Sequence, residues 1–540
     1  MPDTRWWPQS TCYQIYVRSF ADSDGDGVGD LAGVTGRLPY LAKLGVDAIW
    51  LTPFYPSPQA DHGYDVSDYC DVDPLFGELA DFDALLAGAH ELGLKVMVDV
   101  VPNHSSDQHV WFQAALAAAP GSRERARYLF RDGRGAGGAE PPNNWQSTFG
   151  GPAWTRVPDG QWYLHLFDSG QPDFDWTNPE VGDEFERVLR FWLDRGVDGF
   201  RIDVAHGMAK ADGLPDLTAE QLAAEGGELE ETLGDSARPY WDQPGTHDIY
   251  RRWHQVLADY DGDRMAIAEA WVGDAEAMAR YLRPDELQQA FNFHWLMAPW
   301  SARALHDVVE HTLRATRPVG AWPTWVLSNH DVVRATSRFG DGAVGPARAR
   351  GGLLAMLALP GSTYLYQGEE LGLPQVDVAP EHRQDPAFLN GRGVGRDGCR
   401  VPLPWTIADG ATSHGFSPAG AADPWLPQPA GWGKWSAQTQ EGDASSTLAF
   451  VRTALRLRRE MLDSLSDEVQ LHAVDDDALV IRREGSTGAG GLVCVLSCGA
   501  TAVTLAPLGL DAADVLIATS ADAVADAALQ PNTAAWFTVR

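Results

Sequence analysis

The stretch "VDGFRIDV", residues 197 to 204, is a short apolar segment interrupted by an arginine and an acid at i and i+2. In a strand those two positions share a face, so Arg201 and Asp203 would stand side by side. Segments of the same apolar, strand-like kind recur along the chain: "CYQIYV" (12–17), "VDAIWL" (46–51), "LKVMVDVV" (94–101), "RMAIAEAW" (264–271), "QAFNF" (289–293), "TWVLSN" (324–329) and "STYLYQ" (362–367). Helical stretches lie between them; after the first, for instance, Leu31, Val34, Leu38, Leu41 and Leu44 recur at helical spacing. Apolar strands alternating with helices imply a parallel sheet covered on both faces, and eight such units imply a (β/α)8 TIM barrel.

Two breaks in the rhythm predict additions to the barrel. About a hundred residues separate the third and fourth segments, far beyond the usual two to six of a connecting loop, and they include the Gly-, Pro- and Trp-rich run 133–154. An inserted subdomain is expected over 105–176. A second Pro- and Gly-rich stretch, 373–435, reads as a long loop over the same barrel face. From about residue 464 the pattern changes to β-prone pieces at 478–483, 491–498 and 535–540, which predicts a C-terminal antiparallel β domain over 464–540. The barrel itself is expected over 1–104 and 177–463.

The 540 residues carry 41 basic and 75 acidic side chains, a formal charge of -34. That balance excludes nucleic acid and anionic membrane surfaces as partners and favours a neutral or cationic ligand. No apolar run reaches the length of a membrane span, and the start "MPDTRWWPQS" lacks the apolar core of an export signal. Cytoplasmic residence is expected. The five cysteines have no zinc-like pairing of C-x-x-C motifs and are expected to be free thiols, in a monomer or homodimer.

In a barrel of this type the chemistry sits at the C-terminal strand ends. Those ends carry Asp99, Asn103 and His104 on the third segment, Arg201 and Asp203 on the fourth, Glu269 on the fifth, and Asn329, His330 and Asp331 on the seventh. Two carboxyl groups about 5 to 5.5 Å apart suffice for retaining glycoside hydrolysis. Arg201 is expected to keep Asp203 ionised, as a nucleophile requires, and the apolar surroundings of Glu269 in "AIAEAW" to keep that acid protonated.

The segments "DVVPNH" (99–104), "QPDFDW" (171–176), "GFRIDVAH" (199–206), "AIAEAW" (266–271) and "VLSNHD" (326–331) resemble the five signature regions of the α-amylase family of glycoside hydrolases. The likeness spans most of residues 10–405. "GYDVSDY" (63–69) and the form of the first strand and its loop point to the α-glucosidase and oligo-1,6-glucosidase branch. The resemblance implies Asp203 as nucleophile, Glu269 as general acid/base and Asp331 as the carboxylate that holds and distorts the sugar. It implies substrate contacts from His104, Arg201 and His330, sugar stacking on Tyr64, and pocket walls from Phe149, Phe167 and Gln171. Asp65 and Arg400 are expected to pair at the pocket floor and hold the 4-hydroxyl of a terminal glucose, which predicts an exo enzyme acting on small neutral α-glucosides. "RVPLPWT" (400–406) departs from the branch's usual R-T-P-M-Q-W, and Val204, which accompanies α-1,6 cleavage in the branch, is followed by an unusual "AHGM". Sucrose isomerase, trehalose synthase and other glucosyltransferases use the same intermediate and stay open as alternatives, as does a non-catalytic binding or partner protein.

The acidic loop "DSDGDGVGDL" (22–31) follows the first strand. It places oxygens at the positions an EF-hand uses, but Gly33 stands where the closing Glu belongs and no helix precedes it. By the same resemblance, Asp22, Asp24, Asp26, the Val28 carbonyl and Asp30 are expected to hold a structural Ca²⁺, the oxygen-only set favouring calcium over zinc. No organic cofactor is expected.

Overall fold

Short, wholly buried strands build the centre of the molecule. The computed structural model describes residues 5–223, 238–340, 342–407, 413–486 and 490–539. In chain order the first strands are β1 (Thr11–Ile15), β2 (Ala48–Leu51) and β3 (Lys95–Val100), then β4 (Phe130–Asp132), β5 (Trp154–Arg156) and β6 (Gln161–Leu164) in the insertion. The barrel resumes with β7 (Gly199–Ile202), β8 (Met265–Ala268), β9 (Gln289–Ala290), β10 (Thr324–Val326) and β11 (Ser362–Tyr366). The eight non-inserted strands form one parallel sheet in the order β10-β11-β1-β2-β3-β7-β8-β9. Because β1 pairs with both β2 and β11, the sheet curls on itself. A hydrogen bond from the Thr324 hydroxyl to the Ala290 carbonyl joins the two end strands into a barrel.

The sixth barrel strand is shorter than the segment 289–293 suggested. Its end is taken by Asn292, whose side chain accepts from the Trp295 N–H and caps the helix Phe293–Met297. Alternation along the strands divides the residues cleanly. Cys12, Ala48, Trp50, Met97, Met265, Ile267, Val326 and Tyr364 pack in the barrel interior, while Tyr13, Ile49, Val98, Phe200 and Ala266 face the surrounding helices. The five leucine and valine positions of the helix Leu31–Leu44 are all buried against that outer face, each contributing about 1.5–3 kcal/mol. Gly199 is needed in the inner layer, since a Cβ there would lie 2.9 Å from both the Met265 carbonyl and its sulfur.

The antiparallel sheet β4-β6-β5 forms the inserted unit. After the helix Thr447–Met461 come β12 (Gln470–Val474), β13 (Ala478–Arg483), β14 (Gly491–Ser497), β15 (Val503–Thr504), β16 (Val515–Ala518), β17 (Val524–Ala525), β18 (Ala528–Leu529) and β19 (Ala534–Val539). They make a five-stranded antiparallel sheet, β12-β13-β14-β19-β16, and a three-stranded one, β15-β18-β17. The larger sheet is fastened to the barrel's helix Val344–Ala358 by the Trp536 indole, which donates to the Leu354 carbonyl. Of the expected C-terminal pieces only Arg540 lies outside the described residues, as do 408–412 of the long loop 373–435. Among the described residues no helix is long and apolar enough to cross a membrane.

Candidate active site

Adjacent parallel strands bring the signature residues to one end of the barrel. Asp99 on β3 is the register partner of Arg201 on β7, and the Asp203 and Glu269 N–H groups extend the ladder to the Val100 and Ile202 carbonyls. Arg201 therefore rises among three carboxylates. Its Nη1 lies 2.8 Å from Asp99 and 2.5 Å from Asp203, and its Nη2 lies 2.8 Å from Glu269. Asp331 is set by a turn in which Asn329 Oδ1 accepts the N–H groups of Asp331 and Val332. His330 is held between Gln14, 2.7 Å from its Nδ1, and Asp331, 3.3 Å from its Nε2.

The electrostatics differ from the simple division expected between an ionised Asp203 and a desolvated Glu269. One guanidinium serves three buried acids, so negative charge exceeds positive. Burial pushes Asp203 well above the usual carboxylate range, and Glu269 and Asp99 add to this against the pull of Arg201. Burial likewise raises Asp99 to about 6 against Arg201 and the Trp50 indole. Glu269 does not meet an apolar wall: Oε2 pairs with the Arg201 guanidinium and accepts from the Val204 N–H at 2.9 Å, and Oε1 accepts from the Trp271 indole at 3.1 Å. Asp331 shows the opposite balance. Burial would raise it, but His330, Arg396 and Arg400 together hold it far below the ordinary range.

The ion pairs here differ from the one expected. Asp65 and Arg400 do not pair. Asp65 is wholly buried and accepts from Ser57 and from the Ala60 and Asp61 N–H groups, so it shapes its own turn. Arg400 instead reaches Asp331 at 2.9 Å and the His330 carbonyl at 2.8 Å. The acid and base that meet are Asp61 and Arg396, 2.9 Å apart, and Arg396 also binds Asp331 at 3.0 Å and Asp385 at 2.6 Å. In each motif two like-charged residues stand four apart, Asp61 and Asp65, Arg396 and Arg400, and spacing alone does not choose between them.

The remaining expected residues gather around this centre. Tyr64 stacks on His330 with ring centroids 5.4 Å apart and an interplanar angle of 7°. Gln171 is buried and bonds to both Asp61 and His104 at 3.2 Å. Phe167 packs against His104 at 5.1 Å and Phe149 at 5.8 Å, and Arg396 lies over the Phe149 ring. Burial lowers His104 to about 4, so its ring is neutral at pH 7.

This constellation agrees with what comparison with known proteins finds. The family model of the alpha amylase catalytic domain matches residues 14–468. The chain belongs to the α-amylase family. It is 41% identical to a probable alpha-glucosidase of Rhizobium meliloti over 85% of this chain and 83% of that protein. It is 34% identical to an oligo-1,6-glucosidase of Parageobacillus thermoglucosidasius, covering 84% of each. Among solved structures, an alpha-glucosyl transfer enzyme, XgtA, superposes over the full length of both chains with a TM-score of 0.86 at 37% identity. The trehalulose synthase MutB from Pseudomonas mesoacidophila MX-45 does so with a TM-score of 0.86 at 31% identity.

Two features of this α-amylase-family site were missed by sequence reasoning. Lys210 is buried beside the signature residues, with its ammonium 2.8 Å from Asp173 of the insertion and 2.8 Å from Asn103 after β3. A lone lysine in "HGMAK" gives no signal of this. Trp271 ends the segment "AIAEAW" with no signal of a role of its own, yet its indole donates to the Glu269 carboxylate.

The acidic loop leads into the helix Leu31–Leu44, which Asp30 caps by accepting from the Gly33 N–H at 2.6 Å. Carboxylate oxygens of Asp22, Asp24 and Asp30 come within 4.8 Å of one another, a set that fits a hard, oxygen-preferring cation. Asp26 stands outside that group, contrary to expectation, and its carboxylate accepts from the Val28 N–H.

Proposed function

We propose that the protein is a retaining, exo-acting α-glucosidase that frees terminal glucose from short α-glucosides of the maltose, isomaltose or sucrose type. The observation that carries this reading is the chain of contacts Gln171–Asp61–Arg396–Asp331. It stitches the insertion, the loop after β2 and the loop after β11 together beside the reacting acids. A site closed on one side accepts the end of a sugar chain and rejects its middle. The paired charges of Asp61 and Arg396 suit the hydroxyls of a terminal residue, through charge-assisted hydrogen bonds.

In this mechanism the Asp203 carboxylate attacks C1 of the bound glucose. Glu269 gives a proton to the glycosidic oxygen, which departs with its bonding pair. Water, deprotonated by Glu269, then releases glucose from Asp203 with overall retention. One guanidinium reaching both acids supports the close spacing of a retaining pair.

Product analysis over time with maltose, isomaltose, sucrose, trehalose and a long dextrin tests the reading. Free glucose from the disaccharides and little from dextrin is expected, with all turnover lost in Asp203→Ala. Full activity of that variant on an aryl α-glucoside would overturn it. A second reading, transfer of glucose to another sugar, is favoured by the full-length similarity to the transfer enzyme and to trehalulose synthase. New disaccharide in place of glucose would establish it.

The proposal includes a Ca²⁺ held by Asp22, Asp24 and Asp30, steadying the first strand-to-helix connection. At a free Ca²⁺ about a hundredfold above its dissociation constant such a site adds about 2.7 kcal/mol, so a chelator should lower the melting temperature and remove the bound metal. Unchanged melting and no metal in either sample would exclude the site. A cytoplasmic setting completes the proposal, supported by five free cysteines.

A further inference from the structure

Glu269 is gripped at both oxygens, but unequally. Oε2 accepts the Val204 N–H and lies 2.8 Å from the Arg201 guanidinium, a cation that favours negative charge on this oxygen. Oε1 accepts one, from the Trp271 indole Nε1 at 3.1 Å. A transferable proton is therefore better carried by Oε1 than by the oxygen paired with the guanidinium.

The indole is itself held tightly. Trp271 stacks on Phe293 with ring centroids 3.9 Å apart and planes 12° from parallel. Phe293 continues to Phe291 at 5.8 Å, and Phe291 meets both Tyr364 at 4.9 Å and Trp50 at 5.5 Å. All five rings belong to the core that fills the barrel interior. The orientation of the carboxyl plane thus depends on the packing of the barrel, through one N–H. The backbone contributes at the other oxygen: Val204 adopts φ +44°, uncommon for a β-branched residue, and in that conformation its N–H meets Oε2.

We propose that Trp271 is a positioning residue that presents Oε1 of Glu269 as the atom which protonates the leaving group. The inference rests on the α-glucosidase reading and deepens it. In the glycosylation step the proton passes from Oε1 to the glycosidic oxygen. The C1–O bonding pair leaves with that oxygen as Asp203 bonds to C1, and Trp271 donates throughout to the carboxylate that remains.

Trp271→Phe keeps a stacking ring and removes the donor. Its effect should depend on how much help the leaving group needs. For maltose or isomaltose, whose sugar alkoxide cannot depart without a proton, kcat/KM should fall about 10- to 100-fold, part of the 10²–10⁴ that general acid catalysis supplies. For 2,4-dinitrophenyl α-glucoside, whose phenolate leaves unaided, it should fall less than about threefold. A merely structural role would lower both together, and equal losses, or no loss on either substrate, overturn the proposal. Should the variant not fold, Phe293→Leu loosens the ring while retaining the indole, and the same divergence between substrates is expected; parallel losses again overturn it. Wild-type protein that cleaves none of these substrates would instead overturn the α-glucosidase reading, and this inference with it.

Discussion

At the residue scale the acids of the site announce themselves, whereas their partners do not. Asp203, Glu269 and Asp331 each stand at the C-terminal end of a barrel strand segment, where chemistry is the natural reason for an acid. Arg396 lies in a loop where many arginines would be unremarkable, yet it reaches three carboxylates. Its planar fork is suited to such bridging and a lysine's point charge is not. Arg396→Lys should therefore reduce kcat/KM for maltose about 100-fold, the consequence of leaving buried carboxylates poorly paired, while an aryl glucoside's departure is affected no less. Steady-state kinetics on both substrates check this parallel loss, which contrasts with the divergence expected at Trp271.

At the element scale, alternation and spacing predicted the strands well where an apolar segment also ended in a turn. The shortened β9 shows the limit: "QAFNF" has the composition of a strand, but Asn292 inside it is a better helix cap than strand residue. The insertion was legible from its length alone, and its attachment was not. Lys210 joins Asp173 of the insertion to the loop after β7, and both side chains are buried. Replacing Lys210 by Met leaves Asp173 as an uncompensated buried charge. A loss of about 3–5 kcal/mol is expected in chemical denaturation, and Asp173→Asn in the same chain should recover part of it. No loss in Lys210→Met would show that the pair does not secure the insertion.

At the scale of the whole molecule, the balance of buried ionisable groups sets the pH dependence of stability. Burial raises Glu369 from 4.5 to about 8, in part against the Tyr366 N–H that bonds its carboxylate. A raised folded value means that protonation favours the folded state. The stabilisation is complete below pH 4.5 and is lost as pH rises through 8. Glu369→Gln should remove that dependence, leaving the protein more stable than wild type at pH 8 by roughly 4 kcal/mol and similar at pH 5. Melting temperatures across that range test it, and an unchanged slope would contradict it. His104, lowered to about 4 by burial, acts in the opposite sense, its contribution present above pH 6.5 and fading as pH falls through 4.

Taken by itself, the sequence determined the repeating strand and helix units, the two additions to them, and the acids at the strand ends. These are legible because side-chain periodicity and strand-end position are local properties of a chain. The choice of Asp61 over Asp65 and of Arg396 over Arg400, the burial of Lys210 and the grip of Trp271 on Glu269 were decided only by the tertiary structure. Asp61 and Arg396 stand 335 residues apart and each has a like-charged neighbour four positions on, so only closure of the barrel selects them; the burial of Lys210 and the direction of the Trp271 indole likewise follow from packing that no local pattern encodes.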